Sequence, residues 1–376
     1  MHARLALFVG LASLVAAEPT LTLDSPRPQQ VFQRADQRTG LVKVWAEVAG
    51  QDDRYHTPAA EYRLDEGPWR KLSLTSFGRM DGKTVFAGMF PAGTGAHAVE
   101  IRALREGKPI ATQPAVKFFV GEVFVVAGQS NSANHGAAKT KATSDQVLTQ
   151  TPKGDWQACA DPQPGASGGG GSFLPALGDE LQKRLGVPIG FIPCGIGATS
   201  VREWLPSGAP FPNPPTIVSR VRKTADGQWE SDGKAYAMLV KRMKSVPSFR
   251  AVLWHQGESD ANQKDATRTL SGKLYADYLQ TLITRTRKDA LVLPSAHWFV
   301  AQVSYHGPDD VGSKDIRAAQ ASLWKDKVAL EGPDSDALRG PLRDNGGKGV
   351  HFSAEGLKAH AHAWAEKLVP WIEAQR

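Results

Sequence analysis

Hydrophobic and polar residues alternate along the first third of the chain in short runs separated by turn residues. Clear runs are LVKVWAEV at 41–48, TVFAGMF at 84–90, HAVEIRAL at 97–104 and AVKFFV at 115–120, with Gly, Pro and Asp between them. A period of two at this spacing is typical of the strands of a small antiparallel sandwich. The pattern therefore predicts an immunoglobulin-like β-sandwich domain over residues 19–118.

After Val120 the pattern changes, and strand-like runs alternate with helix-like runs. This order predicts an α/β domain over residues 119–376, with a mostly parallel sheet flanked by helices. Functional sites in such folds form at the carboxyl ends of the strands. The predicted strands are 122–128, 187–195, 250–257 and 297–304, and the predicted helices are 173–186, 234–246, 273–290 and a C-terminal helix whose Leu357, Ala361, Trp364 and Leu368 share one face.

The first 17 residues have the pattern of a secretory signal. A basic start precedes an apolar run from Leu5 to Val15, and small residues follow as far as Ala17. The run is too short to span a bilayer, so we expect cleavage after Ala17 and no membrane insertion. The sequence thus predicts a secreted or periplasmic protein.

Composition and charge narrow the class of protein. Hydrophobic residues make up 41% of the chain and charged residues 22%, which is typical of a globular protein and excludes a disordered or collagen-like one. The net charge of +7 comes from scattered residues, which favours a solvated surface over a nucleic-acid face and weakly favours anionic glycans. Cys159 and Cys194 could form one disulfide or be two buried thiols, and no cysteine or histidine spacing suggests a metal.

The segment VFVVAGQSNSANHG, from Val123 to Gly136, ends an apolar strand just before a serine. Ser130 is a candidate nucleophile, since a serine beyond the end of a strand can meet a base and oxyanion donors there. The alternative is a polar loop residue that caps a helix. Ser167 in GASGG matches the nucleophile-elbow motif, but no strand precedes it and a glycine run follows, so we interpret it as part of a flexible loop.

Three further segments carry candidate chemistry. In LWHQGESDAN, Gln256 could donate to an oxyanion, and Glu258 and Asp260 could orient a base or bind a substrate hydroxyl. In CGIGATSVREW, the glycine at 197 allows close backbone approach to an oxyanion. In GKGVHFSAEGL, His351 precedes a helix N-cap and could be the general base. Four other histidines compete with it, of which the last two are expected to pack or to lie on the surface: His255, His306, His360 and His362.

The blocks AGQSN, GATSVREW, WHQGESDA and VHFSAEGL together resemble the SGNH hydrolases, and among them the sialate O-acetylesterase-like carbohydrate esterases. They occur in the order of that family and cover the chain from about residue 119 to its end. The resemblance implies a flavodoxin-like three-layer fold and hydrolysis of acetyl esters on sugars through an acetyl-serine. It also implies that no metal or organic cofactor takes part.

The resemblance assigns roles to individual residues. It implies that Ser130 is the nucleophile and His351 the base. The oxyanion hole would then consist of the Ser130 N–H, the Gly197 N–H and the side-chain amide of Gln256. The polar residues beside these positions are the candidate substrate-binding residues, namely Gln129, Asn131 and Asp260.

One position departs from the family pattern. Many members have an Asp three residues before the catalytic His, where this chain has Lys348. A Ser–His dyad with a backbone carbonyl could orient His351, or Glu258 could do so, or Asp344 could fold back across the Gly-rich insertion. We prefer the first two arrangements. Loss of the acid costs about 10⁴ in rate in the best-studied triad, so the question bears on activity.

Two other function classes remain open at this point. The chain could be an esterase that acts on something other than a sugar, although no long apolar lid helix is evident. It could also be a glycan-binding protein on an inactive esterase scaffold, which Lys348 would favour and which intact Ser130, Gln256 and His351 argue against. Sialic acid, xylan, other hemicelluloses and acidic polysaccharides are all compatible with the sequence, which indicates no oligomeric state.

Overall fold

The computed structural model describes residues 18–50, 59–290 and 296–375, so the predicted signal at 1–17 lies outside the described residues. The chain forms two compact units. One comprises Met1–Pro26, Lys43–Phe90 and Val99–Ala115, and the other comprises Arg27–Val42, Pro91–Ala98 and Val116–Arg376. The chain therefore passes between the units more than once, whereas the sequence predicted two contiguous domains.

The first unit is built from antiparallel strands. Its four-stranded sheet has the order β1-β3-β7-β6, and β4 pairs with both β5 and β8. Residues of β3 alternate between buried and more exposed positions, as the sequence pattern predicted. The assignment to an immunoglobulin-like sandwich stays a prediction. The strands that lie in this unit wholly or in part are β1 Thr20–Ser25, β3 Thr39–Ala49, β4 Ala59–Leu64, β5 Arg70–Lys71, β6 Ser73–Met80, β7 Lys83–Gly93, β8 Gly95–Arg105 and the start of β9 Lys108–Gly128.

The second unit contains a mostly parallel sheet in the order β11-β10-β12-β9-β16-β17-β18. Its five strands from β12 to β18 have the 2-1-3-4-5 order of doubly wound flavodoxin-like folds. The prediction of an α/β domain is therefore confirmed, and β10 and the antiparallel β11 extend one edge. Its further strands are β2 Val31–Gln33, β10 Val147–Gln150, β11 Trp156–Ala158, β12 Ile189–Pro193, β13 Pro210–Phe211, β14 Val221–Lys223, β15 Trp229–Ser231, β16 Ala251–His255, β17 His297–Gln302 and β18 Leu330–Asp334.

Helices pack on both faces of this sheet. Val125 of β9 points into a core with α2, α3 and α4, while its neighbours Phe124 and Val126 point into a core with α1 and α6. This alternation follows from the pleat of the strand. The helices are α1 Leu174–Leu185, α2 Lys234–Met243, α3 Gly272–Asp289, α4 Lys314–Lys325, the single turn α5 Asp344–Gly347 and α6 Ala354–Ala374. The shared face predicted for the C-terminal helix is buried, as expected.

Cys159 and Cys194 are both buried free thiols, so the disulfide left open by the sequence is not formed. Burial raises the pKa of Cys194 to about 11, which keeps this thiol protonated and unreactive. None of the helices in the described ranges is long and apolar enough to cross a membrane.

Candidate active site

Ser130 lies immediately beyond the carboxyl end of β9, in one 3-10 turn that spans Ser130–Ser132. Gly128 has φ +128°, and a Cβ there would be 2.1 Å from the His255 carbonyl oxygen, so this turn requires glycine. The Gln129 N–H donates to the same carbonyl over 2.9 Å. Because β9 and β16 flank the point where strand order reverses, Ser130 is where such sheets bind ligands.

Gln129 and Asn131 connect the Ser130 turn to two neighbouring loops. The Gln129 Oε1 accepts the Ser259 N–H over 3.0 Å. The Asn131 Nδ2 donates to Glu258 Oε1 over 3.1 Å and to the Val350 carbonyl oxygen over 3.2 Å. Both side chains are buried, so these contacts position the turn, and the substrate-binding roles expected for them stay predictions.

Gln256 and Asp260 are buried together behind the Ser130 turn. The Gln256 Nε2 donates to Asp260 Oδ2 over 2.7 Å and to the Thr199 carbonyl oxygen over 3.0 Å. Asp260 also accepts from Ser200 Oγ over 2.5 Å and pairs with Arg202 Nη2 at 3.2 Å. These contacts bury Asp260 among protein partners, so its expected contact with substrate stays a prediction, and the Gln256 N–H groups already have protein acceptors.

Gly197 lies beside the Ser130 turn, because the N–H of Ile196 donates to the Gly128 carbonyl oxygen over 2.9 Å. Its own N–H, expected to be an oxyanion donor, donates to Ser167 Oγ over 2.6 Å. A Cβ at Gly197 would be 2.6 Å from His135 Nε2, so the Gly197 backbone and the His135 ring lie in close contact. The oxyanion role of the Gly197 N–H stays a prediction.

Asp344 and His351 face each other across a tight loop. Arg343 and Phe352 form an antiparallel bridge, and the Asp344 N–H donates to the His351 carbonyl oxygen over 2.9 Å. Residues 345–347 all have positive φ, which turns the chain back sharply. The Gly-rich insertion is therefore the turn that brings the two side chains together.

Among the described residues, Asp344 is the carboxylate within ion-pair distance of the His351 ring, with Oδ2 3.6 Å from Nδ1. Burial lowers the pKa of His351, and the negative charge of Asp344 opposes this by raising that pKa. The Asp344 Oδ1 is buried without a hydrogen-bond partner in the described chain. Asp344 is thus the carboxylate that pairs with the His351 ring, and the arrangement that orients this ring stays a prediction.

Glu258 lies behind the Ser130 turn and not beside the base. Its Oε1 accepts from Asn131 and is 4.0 Å from His255 Nδ1, and no ion-pair contact joins it to His351 within the described ranges. Burial raises the pKa of Glu258 to about 7. The expected role of Glu258 as the acid that orients His351 is corrected, because its carboxyl group faces other partners.

The competing histidines have other surroundings. His255 is buried, its Nε2 is 2.8 Å from Ser335 Oγ, and burial lowers its pKa to about 3. The ring of His306 contacts an aspartate and the Glu258 carbonyl oxygen. His360 packs in the core and His362 is exposed, as the sequence predicted.

The loop at 165–172 is closely packed, although its composition suggested flexibility. A Cβ at Gly168 would be 2.3 Å from the Asn134 carbonyl oxygen, and one at Gly171 would be 1.7 Å from the Ala138 carbonyl oxygen. Gly168 and Gly171 are thus required for close contact with the segment that follows the Ser130 turn. Repeated glycine beside the elbow-like motif was the signal that could have indicated this.

This packing brings Ser167 and His135 close to His351. The sequence analysis assigned neither residue a role at the site. The Ser167 Oγ is 3.2 Å from His135 Nε2. The His135 ring lies against the His351 ring with centroids 5.3 Å apart. A second hydroxyl and a second imidazole therefore lie beside the candidate base.

A cavity of about 520 Å³ adjoins the loop that follows β16. Its volume is in the range of small-ligand sites. His306 connects it to the candidate site, because its Nε2 is 2.5 Å from the Glu258 carbonyl oxygen. Lys264 makes no ion pair with any described residue. The lining residues are all polar and are Thr216, Asn262, Gln263, Lys264, Asp265, Arg268 and His306.

One group of side chains in the described ranges has the spacing of a metal site, formed by Glu180, His362 and Glu366 on the surface. The Arg184 Nη1 lies 2.5 Å from Glu366 Oε1 and 3.3 Å from Glu180 Oε1. A guanidinium thus already neutralises these carboxylates, and the group carries no argument for a metal.

Comparison with solved structures shows a similar fold in a carbohydrate acetylesterase from Xanthomonas citri, XAC1771, with 15% identity, a TM-score of 0.54 and coverage of 93% of this chain and 76% of that one. A carbohydrate esterase family 2 enzyme with a carbohydrate-binding domain, from Corynascus thermopiles (Myceliophthora fergusii), matches with 15% identity, a TM-score of 0.36 and coverage of 94% and 98%. No curated protein matches the chain.

The family model described as "Carbohydrate esterase, sialic acid-specific acetylesterase" matches residues 120–369. The matched range contains the Ser130 turn, the Gly197 loop, the loop after β16 and the Asp344–His351 pair. It covers most of the second unit and more than half of the chain. This chain therefore belongs to the sialic acid-specific acetylesterase family of carbohydrate esterases.

Proposed function

We propose that this protein is an exported serine esterase that removes O-acetyl groups from a carbohydrate through an acetyl-serine intermediate. The observation that carries the proposal is the Asp344–His351 pair, 3.6 Å apart, in the loop to which the Ser130 turn is bonded through Asn131. These contacts support a site at the switch point of the α/β sheet in which a serine, an imidazole and a carboxylate act together. This is the set of groups that acyl transfer requires.

In the proposed reaction His351 accepts the proton of Ser130 Oγ as this oxygen attacks the acetyl carbonyl carbon. The imidazolium then gives its proton to the sugar oxygen as the ester C–O bond breaks. Water, activated by the same imidazole, releases acetate from Ser130. The negative charge of Asp344 stabilises the imidazolium in both halves of the reaction.

The protonation state of His351 suits this role near neutral pH. Burial lowers its pKa, so the imidazole is neutral and able to accept a proton. As pH falls through the pKa of His351, the base becomes protonated. We therefore expect kcat/KM to fall on the acid side.

We place the sugar in the cavity beside His306. Its amide, hydroxyl and charged groups suit sugar hydroxyls, and the apolar part of its lining surface suits the faces of a sugar ring. The unpaired ammonium of Lys264 favours a sugar that carries a carboxylate, such as a sialic acid or a uronic acid. An acetylated acidic sugar is thus the preferred substrate.

An inactive glycan-binding protein is the alternative that Lys348 favoured. The carboxylate of Asp344 beside His351 argues against that alternative, because it can supply the acid from another position of the same loop. The N-terminal strands would then serve as a structural support for the esterase unit.

The test measures acetate released by the purified protein from O-acetylated sialic acid, acetylated pectin and acetylated xylan. We expect release from an acidic glycan and its loss in Ser130→Ala. Ser132→Ala is the matched control, because this neighbouring hydroxyl only donates to the Gln129 carbonyl oxygen. Full activity of Ser130→Ala, or no release from any glycan by the folded wild type, would contradict the proposal.

A further inference from the structure

The expected oxyanion hole has its donors engaged elsewhere. The Gly197 N–H donates to Ser167 Oγ over 2.6 Å. The Gln256 Nε2 has two close acceptors, Asp260 Oδ2 at 2.7 Å and the Thr199 carbonyl oxygen at 3.0 Å, for its two N–H bonds. A developing oxyanion would therefore have to break protein hydrogen bonds to use either group.

Ser167 is held at the site by its backbone. Its N–H donates to the Gly195 carbonyl oxygen, and its carbonyl oxygen accepts from the Asn134 N–H, both over 2.9 Å. Gly195 in turn approaches the Ser130 turn so closely that a Cβ there would be 2.5 Å from Ser132 Oγ. Ser167 thus lies between the nucleophile turn and the Gly197 loop.

The Ser167 hydroxyl accepts one hydrogen bond and can donate another. Because its oxygen accepts from Gly197, its O–H is polarised towards a further acceptor, and such chains of hydrogen bonds strengthen one another. In the resting protein the nearest acceptor is His135 Nε2 at 3.2 Å, a long hydrogen bond. Ser167 is only half-buried, so an incoming ester can reach it.

We propose that the Ser167 hydroxyl is an oxyanion donor, which turns from His135 Nε2 to the carbonyl oxygen of the acetyl group as the tetrahedral intermediate forms. The Gly197 N–H then acts through Ser167 and need not leave it. The second donor is the Ser130 N–H at the start of its 3-10 turn. No bond is made or broken by Ser167, whose proton stays on its own oxygen.

His135 keeps the hydroxyl in place between turnovers. Burial and the neighbouring His351 charge lower the pKa of His135, so its ring is neutral and can accept from Ser167. The contact with the His351 ring, with centroids 5.3 Å apart, sets this resting position close to the base. The sites of proton acceptance and oxyanion binding are therefore adjacent.

This inference rests on the proposed esterase function, and its test uses a substrate that does not depend on the natural sugar. Hydrolysis of 4-nitrophenyl acetate would be measured for wild type, Ser167→Ala and Ser167→Thr, together with inhibition by a boronic acid that forms a tetrahedral adduct on serine. We expect Ser167→Ala to lower kcat about 100-fold, with KM changed less than about 2-fold and inhibition weakened in parallel. Ser167→Thr retains the hydroxyl and should recover most of kcat.

Ser172→Ala is the matched control from the same loop, because its hydroxyl bonds Asp161 instead. Where Ser167→Ala does not fold, as judged by circular dichroism, Ser167→Cys replaces it with the same expected loss, since a thiol is a weak donor. An unchanged kcat in folded Ser167→Ala, or a loss confined to KM, would overturn this inference alone. A folded wild type without esterase activity would overturn the proposed function as well.

Discussion

The role of the Asp344–His351 pair can be tested by a substitution at Gly349, which lies in the same loop. A Cβ added at Gly349 would lie 1.6 Å from Asp344 Oδ1, so Gly349→Ala must displace this carboxylate. The backbone contact between the Asp344 N–H and the His351 carbonyl oxygen involves neither side chain. Gly349→Ala should therefore move the acid away from the base while the loop keeps its bridge.

The distance sets the size of the effect. Two unit charges 3.6 Å apart interact by about 4.6 kcal/mol at an effective dielectric constant of about 20, and by about 1.2 kcal/mol in water. These limits correspond to about 10³-fold and about 7-fold in rate. The His351 side chain is 27% exposed and that of Asp344 16%. We therefore expect a loss between these two limits, about 100-fold in kcat.

The assay is ester hydrolysis as a function of pH by wild type, Asp344→Asn, Asp344→Ala, Gly349→Ala and the double variant Asp344→Ala/Gly349→Ala. Each single variant should lose kcat to a similar extent. Asp344 raises the pKa of His351, so its loss should move the acid limb of kcat/KM to lower pH. The double variant should be no slower than Asp344→Ala, because the carboxylate that clashes with the new Cβ is gone.

A kcat of Asp344→Asn close to that of wild type would refute this reasoning and would support a Ser–His dyad. Strictly additive losses in the double variant would show that Gly349→Ala acts by disturbing the loop and not through Asp344.

Three further predictions follow from the same contacts. Burial raises the pKa of Glu258 to about 7, so the folded state binds the extra proton and wild-type stability should fall as pH rises from about 4.5 to 7, by up to about 3 kcal/mol. Glu258→Gln should flatten this dependence in urea unfolding at pH 5 and 8, and an equal slope in both proteins would contradict it. Gly128→Ala, with φ +128° and a Cβ 2.1 Å from the His255 carbonyl oxygen, should cost at least about 4 kcal/mol by the same method, and a cost below about 1 kcal/mol would contradict the turn geometry. Lys264→Gln should raise KM for an acetylated acidic glycan about 10-fold and leave 4-nitrophenyl acetate hydrolysis unchanged, and equal effects on both substrates would argue against the cavity as the sugar site.

The local pattern of hydrophobic and polar residues was sufficient to predict those strands and helices that have a regular hydrophobic periodicity. The alternation of β and α after Val120 predicted the parallel sheet, because strands buried on both faces and amphipathic helices have distinct patterns. It also predicted that Ser130 follows a strand, because an apolar run that ends on glycine can be recognised from the sequence alone. The four blocks of the resemblance identified the family that the comparison confirms.

The partners of the site residues depended on contacts between segments far apart in sequence. Asp344 meets His351 only because residues 345–347 adopt positive φ, which side-chain periodicity does not encode. Asp260 was a candidate to orient a base or bind a substrate hydroxyl, yet the fold buries it with Arg202 from another loop.

The loop around Ser167 also shows the difference between what local composition suggests and what tertiary packing produces. Its glycines indicate freedom when taken alone, and the fold uses them for close contact with the segment after Ser130. By itself the sequence determined the main strands and helices around the site and the position of the Ser130 turn, because those depend on neighbours along the chain. Only the tertiary structure decided which acid faces the base and which hydroxyl receives the Gly197 N–H, because loop packing sets those distances.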